Sequence, residues 1–156
     1  MDIPPAGTPI VCDMTSAPDT PAERMAEYQR LFAAGLVGRE RTGQGVRFRF
    51  RAEPGLAAWV RDLAAREKAC CGFFAFEVTR SGGEVWWDTA VVDDESARLI
   101  LAEFYSLPDT VADGIDAWED RLAARGLRFS PGPVRGLERQ PGPAAAVTTP
   151  SAPRQV

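Results

Sequence analysis

The chain of 156 residues contains no histidine. Ser-His and Cys-His nucleophilic catalysis within the chain is thereby excluded, because both need an imidazole base. Histidine-bearing zinc sites are excluded for the same reason. Cysteine is scarce as well: there are three, Cys12, Cys70 and Cys71. Three thiols cannot form an all-thiolate structural zinc site. An odd number, with two adjacent, is not the framework of a disulfide-stapled secreted domain. A reducing cytoplasm, where thiols stay free, is the expected compartment. No apolar run is long enough to span a bilayer, so no membrane partner is expected. Met1-Asp2-Ile3-Pro4-Pro5 lacks the basic and apolar regions of a secretory signal. Positive charge is not in excess. A net charge of −4 gives no electrostatic case for a nucleic acid or an anionic surface as partner. Walker and dinucleotide fingerprints are missing too, and Gly82-Gly83 reads as a turn.

What is present is enough apolar sequence for one core. Residues 1–8 read as a flexible N-terminus, 9–130 as a single α+β domain, and 131–156 as a disordered tail rich in Pro, Gly and Ala. Ile10–Met14 reads as a short strand. Thr20 caps a helix that starts at Pro21, and Glu23 completes a capping box. Met25, Tyr28, Leu31 and Phe32 form its apolar stripe, and Gly35 or Gly38 ends it. Val46-Arg47-Phe48-Arg49-Phe50-Arg51 alternates strictly, the signature of a strand with one buried face. Pro54 opens a second helix with the stripe Leu56, Trp59, Val60 and Leu63, and Gly72 is placed to supply a left-handed cap. A hairpin spans 73–92, and two helices follow, ending at Gly126. A small mixed or antiparallel sheet with helices packed over one face is the expected architecture.

The chemistry concentrates at Cys70 and Cys71. Extending the stripe of the second helix puts Glu67 on its core side, one turn before both thiols. A helix C-terminus disfavours negative charge, so the helix itself does not activate these thiols. A bound soft metal would deprotonate them outright. Cys12 is then the third thiolate, and Glu67 or Asp13 adds an oxygen ligand or moves a proton. Mercury (Hg), Cu(I) and zinc (Zn) are the ions such ligands select. Against this stands simple packing, since buried free cysteines behave as small hydrophobes. Glu67 weighs against pure packing, because a carboxylate on an apolar stripe is costly unless paired. An arginine of the 47–51 strand is one available partner.

The run carrying Glu67, Cys70, Cys71, Phe73 and Phe76 follows an amphipathic helix and precedes a hairpin. It resembles a group of small, mostly uncharacterised bacterial proteins found with heavy-metal resistance functions. The resemblance spans about residues 45–92 and departs at Gly72, where proline or another residue is common. It implies a thiol-based, metal-handling role.

A second candidate lies on the 46–51 strand. Arg47 and Arg49, with Trp86 from the hairpin, could bind an anionic ligand or form a homodimer interface. Balance by Glu84 and Asp88 on a neighbouring strand is the plainer account. Asp93-Asp94-Glu95 reads as an acidic helix start, not a cation site. Three functions follow in order. The first is binding or handling of a soft metal ion at the vicinal cysteines. The second is a cysteine-dependent enzyme acting on a small molecule, with Glu67 or Asp13 as acid or base. The third is a non-catalytic module that binds a ligand or partner.

Overall fold

The computed structural model describes residues 1–140. The order is β1 (Val11–Asp13), α1 (Pro21–Gly35), β2 (Leu36–Arg41), β3 (Val46–Arg51), α2 (Leu56–Cys70), β4 (Phe74–Ser81), β5 (Glu84–Val91), α3 (Glu95–Thr110), a 3₁₀ turn (Val111–Asp113), α4 (Gly114–Ala124), β6 (Leu127–Phe129) and β7 (Val134–Arg139). The class is α+β, and every strand pair is antiparallel. There are two sheets among the described residues, not one. A four-stranded sheet runs β2-β3-β5-β4, and a three-stranded sheet runs β1-β7-β6.

The alternation of β3 produces the larger sheet's buried face. Val46, Phe48 and Phe50 are at most 2% exposed, and the three arginines that alternate with them, Arg47, Arg49 and Arg51, face the other way. Trp87 of β5 lies opposite Phe48 and is fully buried. The ring of Tyr28 from α1 stacks on it at 6.0 Å, and Phe104 from α3 meets it edge-on at 5.8 Å. Such aromatic pairs add to the burial that holds α1 and α3 on the sheet. The β4–β5 turn is Gly82-Gly83, with Gly82 at φ 59°, a left-handed conformation that glycine adopts without strain.

α1 starts at Pro21 and ends at Gly35 as expected, whereas α2 starts at Leu56, two residues after Pro54. The Thr20 hydroxyl accepts the Glu23 N–H at 3.2 Å, and Pro21 is the first helical residue of α1. The Asp94 carboxylate accepts the N–H groups of Ser96 and Ala97, so the acidic run does cap α3. Gly72 does not cap α2. Cys71 itself is the cap residue, at φ −120°, and its N–H bonds to the Glu67 carbonyl at 2.7 Å. Lys68 finishes the turn by donating to the carbonyls of Gly72 at 2.8 Å and Phe74 at 2.6 Å. A lysine bound to carbonyls at a helix C-terminus takes the place of a left-handed glycine.

The expected boundary at Ser130 needs correction. Residues 134–139 form β7, the central strand of the smaller sheet, paired with both β1 and β6. Its backbone meets an obligatory pairing need of β1, a strand of 3 residues. The remainder of the expected tail, 141–156, lies outside the described residues. No helix among the described residues is long and apolar enough to cross a membrane.

Candidate thiol metal centre

Two chain segments build the site. The C-terminal turn of α2 supplies Cys70 as its last residue and Cys71 as its cap, both 7% exposed. Strand β1 packs against α2 and brings in Cys12. The three sulfurs lie within 4.8 Å of one another, and those of Cys70 and Cys71 are 3.6 Å apart. All three thiols are free. Three sulfurs about 2.3 Å from a common centre in one plane stand about 4.0 Å from each other, so a small adjustment seats an ion.

Cys70 is the most acidic thiol of the trio. The thiols of Cys12 and Cys71 donate to its sulfur, and the Arg24 guanidinium and the Asp13 N–H add to their effect. Its pKa therefore falls far below the ordinary thiol value, although the helix dipole opposes this. Cys12 and Cys71 move the other way, because each gives its hydrogen to a neighbouring sulfur and is buried beside negative charge.

Glu67 stands behind the thiols with its side chain 16% exposed. Burial lifts its carboxyl to about 7, against the opposing pull of Arg24. Its partner is Arg24 of α1, at 3.5 Å, rather than an arginine of β3. Arg24 is 5% exposed and is clamped by Asp19 through two bonds of 2.6 and 2.9 Å. Asp19 also meets Arg66 at 3.1 Å, and Arg66 binds Glu27 at 2.6 Å. This chain of charges ties α1 to α2 and holds Arg24 beside the sulfurs. The Tyr28 hydroxyl lies beside Glu67 and, like Arg24 Nη1, is buried without a hydrogen-bond partner.

Above the sulfurs opens a cavity of about 140 Å³. Its floor is Cys12, Cys70, Cys71, Glu67, Arg24 and Tyr28. Its walls are mostly apolar and come from α3, α4 and β4, with Phe74, Phe104 and Trp118 among them.

Several expectations change here. Asp13 is not part of the centre: its carboxylate is exposed and accepts the Thr15 N–H at 2.9 Å. Side chains alternate along a strand, so Cys12 pointing inward sends Asp13 outward. Asp13 contributes only its backbone N–H. Glu67 is near the thiols but outside the group of converging ligand atoms, which among the described residues holds sulfur alone. Arg47, Arg49 and Trp86 lie on the far face of the larger sheet, away from the cavity. Arg47 lies 4.0 Å over the Trp86 ring and grips Asp88 at 2.8 and 3.1 Å. Arg49 and the Trp86 N–H both bind Glu84. These groups pair with the neighbouring carboxylates, as the plainer account has it, with Arg49 Nε left buried and unpartnered.

The sequence reading missed Arg24 and Met14. Arg24, Tyr28 and Leu31 stand at helical spacing, so an arginine on the apolar face of α1 was the available signal. The Met14 thioether is 3.1 Å from the Cys70 sulfur, and it follows Cys12 by two residues, the spacing that returns a side chain to the same face of a strand. No protein-family model, curated protein or solved structure matches this chain, so its chemistry must be read from the site.

Proposed function

We propose that the protein binds a soft, thiophilic metal ion as cargo through Cys12, Cys70 and Cys71. The observation that carries this reading is the convergence of three free sulfurs, from segments 58 residues apart in sequence, at the floor of one cavity. Packing alone gives no reason for three sulfurs to converge beside a buried arginine. Three thiolates with a divalent ion carry one net negative charge, which the Arg24 guanidinium offsets. The sulfur-only donor set, with the Met14 thioether adjoining it, favours Hg(II) or Cu(I) over zinc, which fills a fourth position. The resemblance of the Glu67–Phe76 run to proteins found with heavy-metal resistance agrees with this.

Titration of the reduced protein with Hg(II), followed by ultraviolet thiolate-to-metal absorption, tests it. One ion per chain is expected, and Cys70→Ser or Cys12→Ser should lower affinity by roughly tenfold or more. Native thiols that neither bind the ion nor react with iodoacetamide until denatured would leave packing as the account.

A second reading has its own support. A thiolate at Cys70 and a carboxyl near 7 at Glu67 are a nucleophile and a proton carrier within one cavity. It requires turnover that Glu67→Gln cuts by about a hundredfold, whereas in a pure metal binder the same change alters affinity only slightly.

A further inference from the structure

The cavity has a polar floor and an apolar body. The floor holds the three sulfurs together with Arg24, Tyr28 and Glu67. Around the rest of the cavity stand Phe74, Ile100, Phe104, Ile115 and Trp118, with Arg135 the one charged side chain among them. A bare metal ion uses only the floor. Its hydration water, if retained, would face a lining that is mostly apolar. The space of about 140 Å³ is then unexplained by an inorganic ion. A cavity of roughly 150 Å³ lined by Leu, Ile and Phe takes up benzene. The occupant that matches floor and body together has a soft cationic head and an apolar group of about that size.

Resting on the thiol-metal reading above, we propose that the cargo is an organometallic cation, a soft metal bearing one apolar organic substituent. The metal bonds to sulfur at the floor and the substituent enters the aromatic-walled cavity. The binding step is balanced. In R–Hg–X the bond to X breaks and X leaves as an anion, while a thiol at the floor gives its proton to solvent and its sulfur bonds the metal to form neutral R–Hg–S. The metal–carbon bond stays intact, no electron is transferred, and the displaced ligand leaves as free anion. In a two-coordinate metal the carbon lies opposite the sulfur, so the substituent projects from the floor into the body of the cavity. Specificity for the substituent then comes from burial of its apolar surface rather than from the metal–sulfur bond.

The test compares phenylmercury, methylmercury and Hg(II) on the full-length reduced protein, each measured by competition against glutathione. Competition cancels the intrinsic preference of each metal species for a thiol. Phenylmercury should exceed methylmercury by roughly tenfold or more in this ratio, because the ring buries much more apolar area than a methyl group. Ile115→Trp, which fills the cavity from α4, should bring the two ratios together. Equal ratios in the unaltered protein, with Hg(II) still bound, would overturn this inference and leave the thiol-metal reading standing. A phenyl preference that survives Ile115→Trp would overturn the placement of the substituent. Failure to bind any of the three would overturn the thiol-metal reading itself. If Ile115→Trp does not fold, the phenyl-to-methyl ratio of the unaltered protein decides alone.

Discussion

Arg24 supplies beside Cys70 the positive charge that an imidazolium supplies in many thiol sites. Its guanidinium is fixed by Asp19 and reaches toward Glu67 and the sulfurs, so the thiolate needs no histidine. Alkylation of Cys70 should therefore persist well below pH 9, its ordinary thiol value. Arg24→Gln should raise the midpoint of that profile by about one unit or more, the usual effect of removing an adjacent opposite charge. A midpoint already near the ordinary value in the unaltered protein would show that Cys70 is no thiolate. Glu67 gives a second prediction at this scale. Its pKa is raised from 4.5 to about 7, so the folded state favours the protonated carboxyl. The stability this contributes is fully present below pH 4.5 and is lost as pH rises through about 7. Glu67→Gln has no such loss. Relative to the unaltered protein it should gain stability between those two pH values, by about 3 kcal/mol at most. Chemical denaturation at pH 4.5 and pH 8 measures the difference. A gap that is constant with pH would mean that Glu67 titrates normally. Glu67 was legible in the sequence because a carboxylate on the apolar stripe of α2 demands a partner. The partner was not legible, because it comes from another helix, and periodicity describes one helix at a time.

Among the elements, the long amphipathic ones were readable, as was β1 within the apolar run Ile10–Met14, while the other short strands were not. The alternation in β3 and the stripes of α1, α2 and α3 each repeat often enough to reveal a period. β6 and β7 do not: Leu127–Phe129 is three residues, and Val134–Arg139 contains Pro-flanked, Gly- and Arg-rich sequence that reads as tail. The strand β2 hides behind Gly38 and its charged residues, and its pairing with β3 shifts register between Leu36 and Gly38. β7 matters for the site, because it is the strand to which β1, and so Cys12, is bonded. A chain ending at Ser130 should lose about 5 °C or more in Tm relative to one ending at Gln140. It should also lose the third sulfur's contribution to metal affinity. Equal Tm and equal affinity for the two chains would show that β7 does not hold Cys12 in place.

At the scale of the whole molecule, the site sits where α2 meets the smaller sheet. The end of α2 and its cap carry the vicinal cysteines, and β1 of the smaller sheet carries Cys12. The helices α1, α3 and α4 close the space above them and leave the cavity. The α+β class followed from the alternation of strand-like and helical periods. The second sheet did not, because it joins residues 11–13 to residues 134–139, a long-range pairing that local patterns do not encode. The same pairing is what turns two adjacent cysteines into a three-sulfur centre. X-ray absorption at the mercury edge, on protein loaded with one equivalent of Hg(II), counts the sulfurs directly. The account predicts three sulfur neighbours, falling to two in Cys12→Ser. Two sulfurs in both proteins, or a first shell of oxygen and nitrogen, would contradict it.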